Sequence, residues 1–412
     1  MSVWVERGRF SGAVNQAFRE VRDALTGLGL EPGDLVLVAC SGGADSLALA
    51  IAAQHCAHQI GRTVRQRGIE IRVGAVIVDH QMQPGSGEVA ERAAEQCRYL
   101  GLDPVIIVPV EVGKAGGPEA AARTARYAAL ERTAAELGAK AVLLGHTLDD
   151  QAESVLLGLA RGSGARSLSG IPAQRGVFIR PFLNVRRSTT EAICDLFHQK
   201  PWHDPTNAQP VHLRNRIRIN AMPALAEAIG PGVPEALART AAQLAENAEA
   251  LDFYASELLQ RATAPLGDSA TASHTLLAQN DGGGSPLLGS AALPQEGSAQ
   301  KDSNRFPAHD VPYPRHAARI ASTSRLPARS DAESQDLYRV KLDIETLMAA
   351  PAAVRRRALR LAAIQAGAPA SEVNRAQVLA IDALVANWHG QSGHNLPGGV
   401  KVSRHCGRLL FD

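Results

Sequence analysis

Short apolar runs alternate with longer stretches of helical spacing over roughly the first third of the chain. Four runs are typical of buried strands, at 35–39, 71–78, 105–108 and 141–144. The segments around them repeat apolar residues at helical intervals and stop near glycines, which predicts helices at 14–28, 46–60, 88–101 and 118–137. Strands that alternate with helices of this length predict a parallel sheet covered on both faces.

The rest of the chain has a different pattern. Helical spacing returns at 188–198, 234–262, 352–366 and 371–386, and the last residues predict a hairpin over 399–411. The stretch 265–335 is rich in Gly, Ser, Pro, Ala and Asn, a composition that buries too little apolar surface to order itself. We therefore predict a first domain over 1–225, a smaller, mainly helical domain over 226–264 and 336–412, and a disordered insertion over 265–335.

Composition narrows the class of protein. The formal net charge of the 412 residues is +2, so a nucleic-acid partner needs local basic patches rather than a global field. The five cysteines are scattered without C-x-x-C spacing, which argues against a disulfide framework, a zinc site and a thioredoxin-like motif. Neither a signal-peptide core nor an apolar run long enough for a membrane span is present in the sequence, so we predict a cytoplasmic location and no membrane partner.

The stretch after the first predicted strand carries the strongest chemical signal. Its residues are Ser41, Gly42, Gly43, Ala44, Asp45 and Ser46. Adjacent glycines let the backbone approach a ligand, and the free N–H groups, serine hydroxyls and helix N-terminus favour a phosphate. Asp45 is an acid within an anion site, which is explained by a Mg²⁺ ion that bridges its carboxylate and a phosphate. The string is neither a Walker A loop nor G-x-G-x-x-G, and it resembles the pyrophosphate loop of ATP pyrophosphatases.

A second polar cluster follows the fourth predicted strand. His146, Asp150 and Glu153 fall along one edge of a predicted helix start. They could bind a cationic substrate or Mg²⁺, or transfer a proton. Helix capping and the helix dipole account equally well for any one of the acids.

Two further groups of residues are weaker signals. Arg123 and Arg126 are three residues apart on a predicted helix, so one guanidinium could reach the α-phosphate of a nucleotide, although a solvated helix face has the same spacing. Asp79 and His80 follow the second predicted strand, where they could be site residues or no more than a polar strand end.

These motifs together resemble the bacterial tRNA(Ile)-lysidine synthetase family. The matching blocks are S-G-G-A-D-S at 41–46, V-D-H at 78–80, A-R-x-x-R-Y at 122–127, L-G-H-T-x-D-D-Q-A-E at 144–153, R-G-S-G at 161–164, W-x-D-P-T-N at 202–207 and R-N-R-I-R at 214–218. The resemblance is strong over 35–225 and loose over 337–412. It implies an α/β fold, with a parallel-sheet adenine-nucleotide-binding (PP-loop ATPase) domain followed by the smaller, mainly helical domain.

The resemblance also implies an activity. Members of the family join the ε-amine of free L-lysine to C2 of cytidine 34 in the CAU anticodon of tRNA(Ile), through an adenylated cytidine. They release AMP and pyrophosphate and change the codon that is read from AUG to AUA. ATP, Mg²⁺, L-lysine and this tRNA are the expected partners, and a homodimer is left open.

Roles for individual residues follow from the resemblance. The loop 41–46 would hold ATP, with Asp45 on Mg²⁺. Arg126 would stabilise the α-phosphate, and His146 would position a phosphate or assist proton transfer. Asp150 and Glu153 would bind the lysine ammonium, with Asp150 also counted as catalytic. The expected tRNA-binding residues are Arg186, Arg187, Arg214, Arg216 and Arg218.

Three alternatives remain at the level of sequence. A tRNA thiolation enzyme on the same fold would need catalytic cysteines or an iron–sulfur site, whereas Cys40 is better explained as a core residue. An amidating ligase similar to GMP synthetases would need an ammonia source. A non-catalytic ATP- or RNA-binding module would not need Asp45, Arg126 and Asp150.

Overall fold

The computed structural model of the chain describes residues 10–60, 70–81, 85–113, 117–162, 164–204, 213–263 and 340–412. The chain forms two compact units, Met1–Leu251 and Asp252–Asp412. The predicted insertion at 265–335 and the motif positions 205–207 lie outside the described residues. Within the described ranges, no helix combines the length and the apolar character that crossing a bilayer requires.

Alternating strands and helices build the first unit. Its strands are β1 (Leu35–Ala39), β2 (Arg72–Asp79), β3 (Val105–Pro109), β4 (Ala141–Leu143), β5 (Gln174–Arg175) and β6 (Phe178–Ile179). Its helices are α1 (Gly12–Gly27), α2 (Ala44–Gln59), α3 (Ser86–Tyr99), α4 (Pro118–Glu136), α5 (Leu148–Ala160), α6 (Ala165–Leu168), α7 (Arg187–Leu196), α8 (Leu213–Arg216), α9 (Met222–Ile229) and most of α10 (Val233–Thr263). A 3₁₀ turn at Pro181–Asn184 and a π-helical turn at Ile217–Ala221 complete it.

The sheet of the first unit has the strand order β3-β2-β1-β4-β6-β5. β1 pairs in parallel with β2 on one side and β4 on the other, so Leu37 lies opposite Gly74 and Val142. The chain therefore reverses its direction of strand addition between β1 and β4, and ligands bind at the carboxyl ends of strands at such a reversal. The predicted parallel sheet is confirmed. The antiparallel β5–β6 hairpin was not predicted, because two-residue strands carry no periodic signal.

Alternate residues of β1 enter two different apolar layers. Val36 and Val38 pack with α1, α2, α3 and α7, whereas Leu35 and Leu37 pack with residues of α4. α2 is buried on most of its surface, because it contacts α1, α7 and β1. This burial fixes the position of the helix N-terminus that follows the glycine-rich loop.

The second unit begins within α10 and continues after the undescribed segment. It contains β7 (Val340–Asp343), α11 (Ile344–Ala349), α12 (Ala352–Gln365), α13 (Arg375–Ala386), β8 (His394–Asn395), β9 (Lys401–His405) and β10 (Arg408–Phe411). The four strands form an antiparallel sheet in the order β7-β10-β9-β8, of which the sequence predicted the β9–β10 hairpin. Leu342, Leu359 and Phe411 lie in the apolar core between this sheet and the helices.

Candidate active site

The glycine-rich loop joins the end of β1 to the start of α2. Gly42 has a φ of +80°, a value that favours glycine, and its carbonyl accepts a hydrogen bond from the Trp202 backbone N–H at 2.8 Å. The Ser46 hydroxyl accepts from the Ser41 N–H at 3.1 Å and donates to the Gly43 carbonyl at 3.0 Å. The loop is therefore held open by its own serines at the N-terminus of a buried helix, which is a favourable place for a phosphate.

The end of β4 lies against this loop. A Cβ atom at Gly145 would come within 3.0 Å of the backbone of Asp45 and Ser46, so a side chain at this position would push the two segments apart. Because of this close approach, the residues after β4 lie directly against the glycine-rich loop, and the two segments form one continuous surface.

A cavity of about 860 Å³ opens beside that surface. The cavity is lined by residues that follow three strands and by others from α4, α7 and the segment around 202. Its polar lining includes Ser41, Asp45, Ser46, Asp79, His80, Arg126, His146, Arg187, Glu191, Trp202, His203, Asp204 and Arg218. The sequence signals of the loop, the second strand end and the fourth strand end therefore meet in one cavity.

Asp45 is partnered from α7. Its carboxylate accepts from the Thr190 hydroxyl at 2.6 Å and from Arg187 Nε at 3.2 Å. Burial raises the pKa of Asp45, and the charge of Arg187 and the Thr190 hydrogen bond oppose that rise. Thr190 has no signal in the sequence, because only the tertiary fold brings it to the loop.

Asp45 suits a Mg²⁺ ion that arrives with a nucleotide. The described residues hold no group of three side chains that could bind a metal by themselves. Mg²⁺ is commonly bound by one or two carboxylates together with substrate phosphates and water. A single carboxylate that lines the cavity beside a phosphate loop fits that mode of binding.

The two carboxylate oxygens of Asp150 have partners of different kinds. Its Oδ2 accepts from the N–H and the hydroxyl of Thr147 at 2.9 and 3.1 Å, which is the capping box of α5. Its Oδ1 accepts from Arg187 Nη2 at 3.3 Å. Burial would raise the pKa of Asp150, but the charges of Arg187 and Arg214 hold it below its usual range. The capping interpretation is therefore correct for one oxygen, while the other faces cations.

Glu153 lies one turn further along α5 and is almost fully buried. Its carboxylate accepts from Arg214 Nε at 2.8 Å and from Arg218 Nε at 2.7 Å, and both guanidinium groups also lie within 3.4 Å of Asp150 Oδ1. The residues predicted to bind lysine and two of those predicted to bind tRNA thus form one cluster. The reason is that buried carboxylates need partners, and the arginines of α8 and the following turn supply them.

The other predicted tRNA-binding arginines are in three different environments. Arg187 joins Asp45 to Asp150, and its own backbone N–H donates to Asp149 at 2.8 Å. Arg186 lies 3.5 Å from both Asp149 and Glu235. Arg216 is exposed on α8. Arg187 is therefore part of the cavity wall, and Arg216 is the one of these three whose side chain faces solvent most openly.

Arg126 and His146 lie on the side of the cavity formed by α4 and the end of β4. Burial lowers the pKa of Arg126, although the guanidinium stays charged near neutral pH. Burial also lowers the pKa of His146 to about 3; Asp150 opposes that fall, whereas Arg180, Arg126 and Arg214 add to it. His146 is therefore a neutral imidazole at physiological pH and acts as a hydrogen-bonding group rather than as a cation.

The depressed pKa of His146 predicts a stability effect. An unfolded chain binds a proton at this site below about pH 6.5 and the folded protein does not, so His146 costs stability as the pH falls through that value. Between about pH 7.5 and pH 5 the cost reaches about 2 kcal/mol. We expect calorimetric unfolding of His146→Gln to show a smaller loss of stability over this range than wild type. An equal loss in both proteins would contradict the buried neutral state.

Comparison with known proteins assigns the first unit to a class. The family profile described as PP-loop domain matches residues 14–225, and the profile described as TilS substrate binding domain matches residues 342–410. Among solved structures, the U34-tRNA thiolase NcsA from Methanococcus maripaludis aligns with 57% of this chain and 80% of its own at a TM-score of 0.47 and 18% identity. That likeness is too distant to bear on function. The cavity described above thus lies within a PP-loop domain.

Relatives that match along nearly the whole chain define the family. The tRNA(Ile)-lysidine synthase of Thermobifida fusca is 41% identical over 381 residues, which is 92% of each chain. The tRNA(Ile)-lysidine synthase of Streptomyces coelicolor is 42% identical over 386 residues, 93% of this chain and 86% of its own. This chain belongs to the tRNA(Ile)-lysidine synthase family, and the resemblance seen in the sequence motifs is confirmed.

Proposed function

We propose that this protein joins free L-lysine to C2 of cytidine 34 in the CAU anticodon of tRNA(Ile), with ATP consumed and AMP and pyrophosphate released. The product, lysidine, changes the codon that the tRNA reads from AUG to AUA. The observation that carries the proposal is one cavity in which the phosphate loop, Arg126 and His146 meet. The cluster of Asp150 and Glu153 connects to that cavity through Arg187 and Arg218.

The first step would activate the base. The C2 carbonyl oxygen of cytidine attacks the α-phosphate of ATP, forming an O-adenylate and releasing pyrophosphate. Ser41, Ser46 and the loop N–H groups bind the phosphates, and Arg126 stabilises the negative charge that develops at the α-phosphate. Asp45 would hold Mg²⁺, which supplies additional charge neutralisation at the phosphates when bound.

The second step would replace AMP by lysine. The ε-ammonium of free lysine has an ordinary pKa of about 10.4, so it loses a proton before its nitrogen attacks C2. Asp150 and Glu153 are proposed to bind the ammonium, which then competes with the guanidinium groups of Arg214 and Arg218 for the same carboxylates. Neutral His146 lies where it can accept or pass a hydrogen bond beside the phosphate loop.

The tRNA would be held by phosphate contacts that position it and by a splayed anticodon base that is read. Arg216 is a candidate for a phosphate contact because its side chain is exposed on α8, between Arg214 and Arg218 along the chain. Arg186, Arg187, Arg214 and Arg218 already pair with carboxylates, so only their remaining N–H donors could contact tRNA while those pairs persist. The cytoplasmic location and a homodimer stay predictions from the sequence.

Thiolation of tRNA is the less supported alternative. Four of the cysteines, Cys40, Cys56, Cys97 and Cys194, are buried, and the described residues contain no group of thiols and imidazoles suited to a metal or cluster. Cys40 does line the cavity, but it is buried directly after the core strand β1.

Incorporation of labelled lysine tests the proposal. Purified protein is incubated with ATP, Mg²⁺, labelled L-lysine and an unmodified tRNA(Ile) transcript with a CAU anticodon. We expect label to enter the RNA with release of AMP, and no incorporation into the same transcript with a CAU→GAU change. Absence of incorporation by folded protein that binds ATP would contradict lysidine formation.

A further inference from the structure

Tyr127 is surrounded by arginines on α4 and at the end of β6. Its hydroxyl accepts from Arg180 Nη2 at 3.3 Å and from Arg123 Nη2 at 3.4 Å. The Cζ atoms of Arg123 and Arg126 lie 5.1 and 5.7 Å from the centre of its ring. The ring itself is fixed by an edge-to-face contact with Phe178, with centroids 5.0 Å apart. The charged groups that contact Tyr127 in this way are therefore cations rather than acids.

Arg180 is the most deeply buried of these arginines, with 4% of its surface exposed. It follows β6 directly, and its Nη1 donates to the Pro172 carbonyl at 2.9 Å. Among the described residues its Nε has no hydrogen-bond partner, and no carboxylate of the described chain forms an ion pair with it. A buried guanidinium without a counter-ion costs stability that an apolar residue of similar volume would not cost. The buried charge of Arg180 is therefore a candidate for a functional role.

The charge of Arg180 acts on the cavity. Burial is the main cause of the lowered pKa of His146, which lines that cavity, and the positive charges of Arg180 and Arg126 lower it further. Burial would raise the pKa of Tyr127, but the hydrogen bond from Arg180 and the charges of Arg123 and Arg126 lower it. Of the three arginines around Tyr127, Arg126 is the one that lines the cavity itself. A connected path thus runs from β6 through Arg180 and Tyr127 to Arg126.

We propose that Tyr127 and Arg180 are positioning residues for Arg126: they fix its guanidinium at the cavity wall and add a second buried positive charge behind it. A preorganised cation is most effective where negative charge develops in the transition state, which here is the α-phosphate during adenylation. This inference rests on the proposed function, because that function supplies the α-phosphate. It predicts that Tyr127 and Arg180 affect turnover through Arg126 and hardly affect nucleotide binding.

Tyr127→Phe and Arg180→Lys, each alone and combined with Arg126→Met, test the path. For every protein, kcat and KM for ATP are measured by AMP release from labelled ATP. Tyr127→Phe removes the hydroxyl and keeps the ring on Phe178 and Arg126. Arg180→Lys keeps the charge and loses the fork that reaches both Pro172 and Tyr127. We expect kcat to fall about 10-fold in the first and about 10- to 100-fold in the second, with KM for ATP changed by less than about 2-fold.

The decisive measurement is made in an Arg126→Met background. If the two residues act through Arg126, adding Tyr127→Phe or Arg180→Lys to that background changes kcat by less than about 2-fold. A merely structural role would lower kcat by the same factor with or without Arg126, and that result would overturn the proposal. So would single variants that change only KM for ATP, or that leave kcat at the wild-type value.

Matched controls separate local chemistry from general effects. Tyr99→Phe removes a hydroxyl from an exposed tyrosine, and Arg175→Lys changes an exposed arginine on β5, next to β6. Both are expected to keep wild-type kcat. Wild-type protein in the same assay distinguishes the two levels of inference: no AMP from wild type contradicts the proposed function, whereas active wild type with fully active variants contradicts only the positioning role.

Discussion

Asp45→Asn should abolish AMP release while leaving the protein folded. Asparagine has nearly the same shape and still accepts a hydrogen bond from Thr190, but it lacks the negative charge that would hold Mg²⁺ beside the phosphates. It also removes one of the two carboxylates that pair with Arg187 among the described residues, which raises the net positive charge beside the loop. We expect turnover to fall by roughly 1,000-fold or more, measured as AMP formed from labelled ATP.

Asp103→Asn is the matched control for this variant. Asp103 is a strongly exposed carboxylate that lies 3.7 Å from Arg72, and its loss should leave turnover unchanged. A second readout is the Mg²⁺ concentration for half-maximal activity, which should rise in any Asp45 variant with residual turnover. Near-normal AMP release by Asp45→Asn would remove the metal role assigned to this residue.

Asp382→Asn should destabilise the second unit by about 3–5 kcal/mol. Asp382 on α13 is buried and accepts from Arg355 Nε and Arg356 Nε on α12, each at 2.7 Å. Arg355 is buried as well, so removing the carboxylate charge leaves an uncompensated cation inside the core between the two helices. Urea denaturation of the full chain, monitored by amide hydrogen exchange in α12 and α13, measures the loss of stability in the second unit.

Arg356→Gln is the control for that effect. The Arg356 side chain is 41% exposed, so it gains much of its solvation from water, and its replacement should cost no more than about 1 kcal/mol. The contrast between the two variants is the test, because both remove one member of the same cluster. Equal and small effects would mean that the buried pair contributes little to the stability of this unit.

Sequence motifs predicted the family and the position of the phosphate loop because both depend on local order along the chain. A strand, two glycines and a helix start lie within about a dozen residues, and their pattern needs no tertiary information. The partner residues of Asp45 were beyond the reach of that reasoning. Arg187 and Thr190 are more than 140 positions away along the chain, where the sequence predicted a tRNA contact for Arg187 and a helix around Thr190.

The arginines at 214, 216 and 218 show the same limit of prediction from sequence, here for a charge pattern. A run of arginines is typical of nucleic-acid contacts, and Arg216 is exposed as such a contact requires. Arg214 and Arg218 instead lie on Glu153, because a carboxylate that is 2% exposed requires cations within hydrogen-bonding distance. Local charge pattern carries no information about which distant group will be buried against it.

The amino-acid sequence by itself determined the parallel-sheet fold and the family, since periodicity and short motifs encode them directly. It also predicted a phosphate-binding role for the loop at 41–46. Only the tertiary structure decided that Arg187 joins Asp45 to Asp150, that Arg214 and Arg218 pair with Glu153, and that Arg180 lies buried beside Tyr127. Those contacts join residues that are far apart along the chain. They exist because burial forces each charged or polar group to find a partner, and the fold alone decides which partners are near.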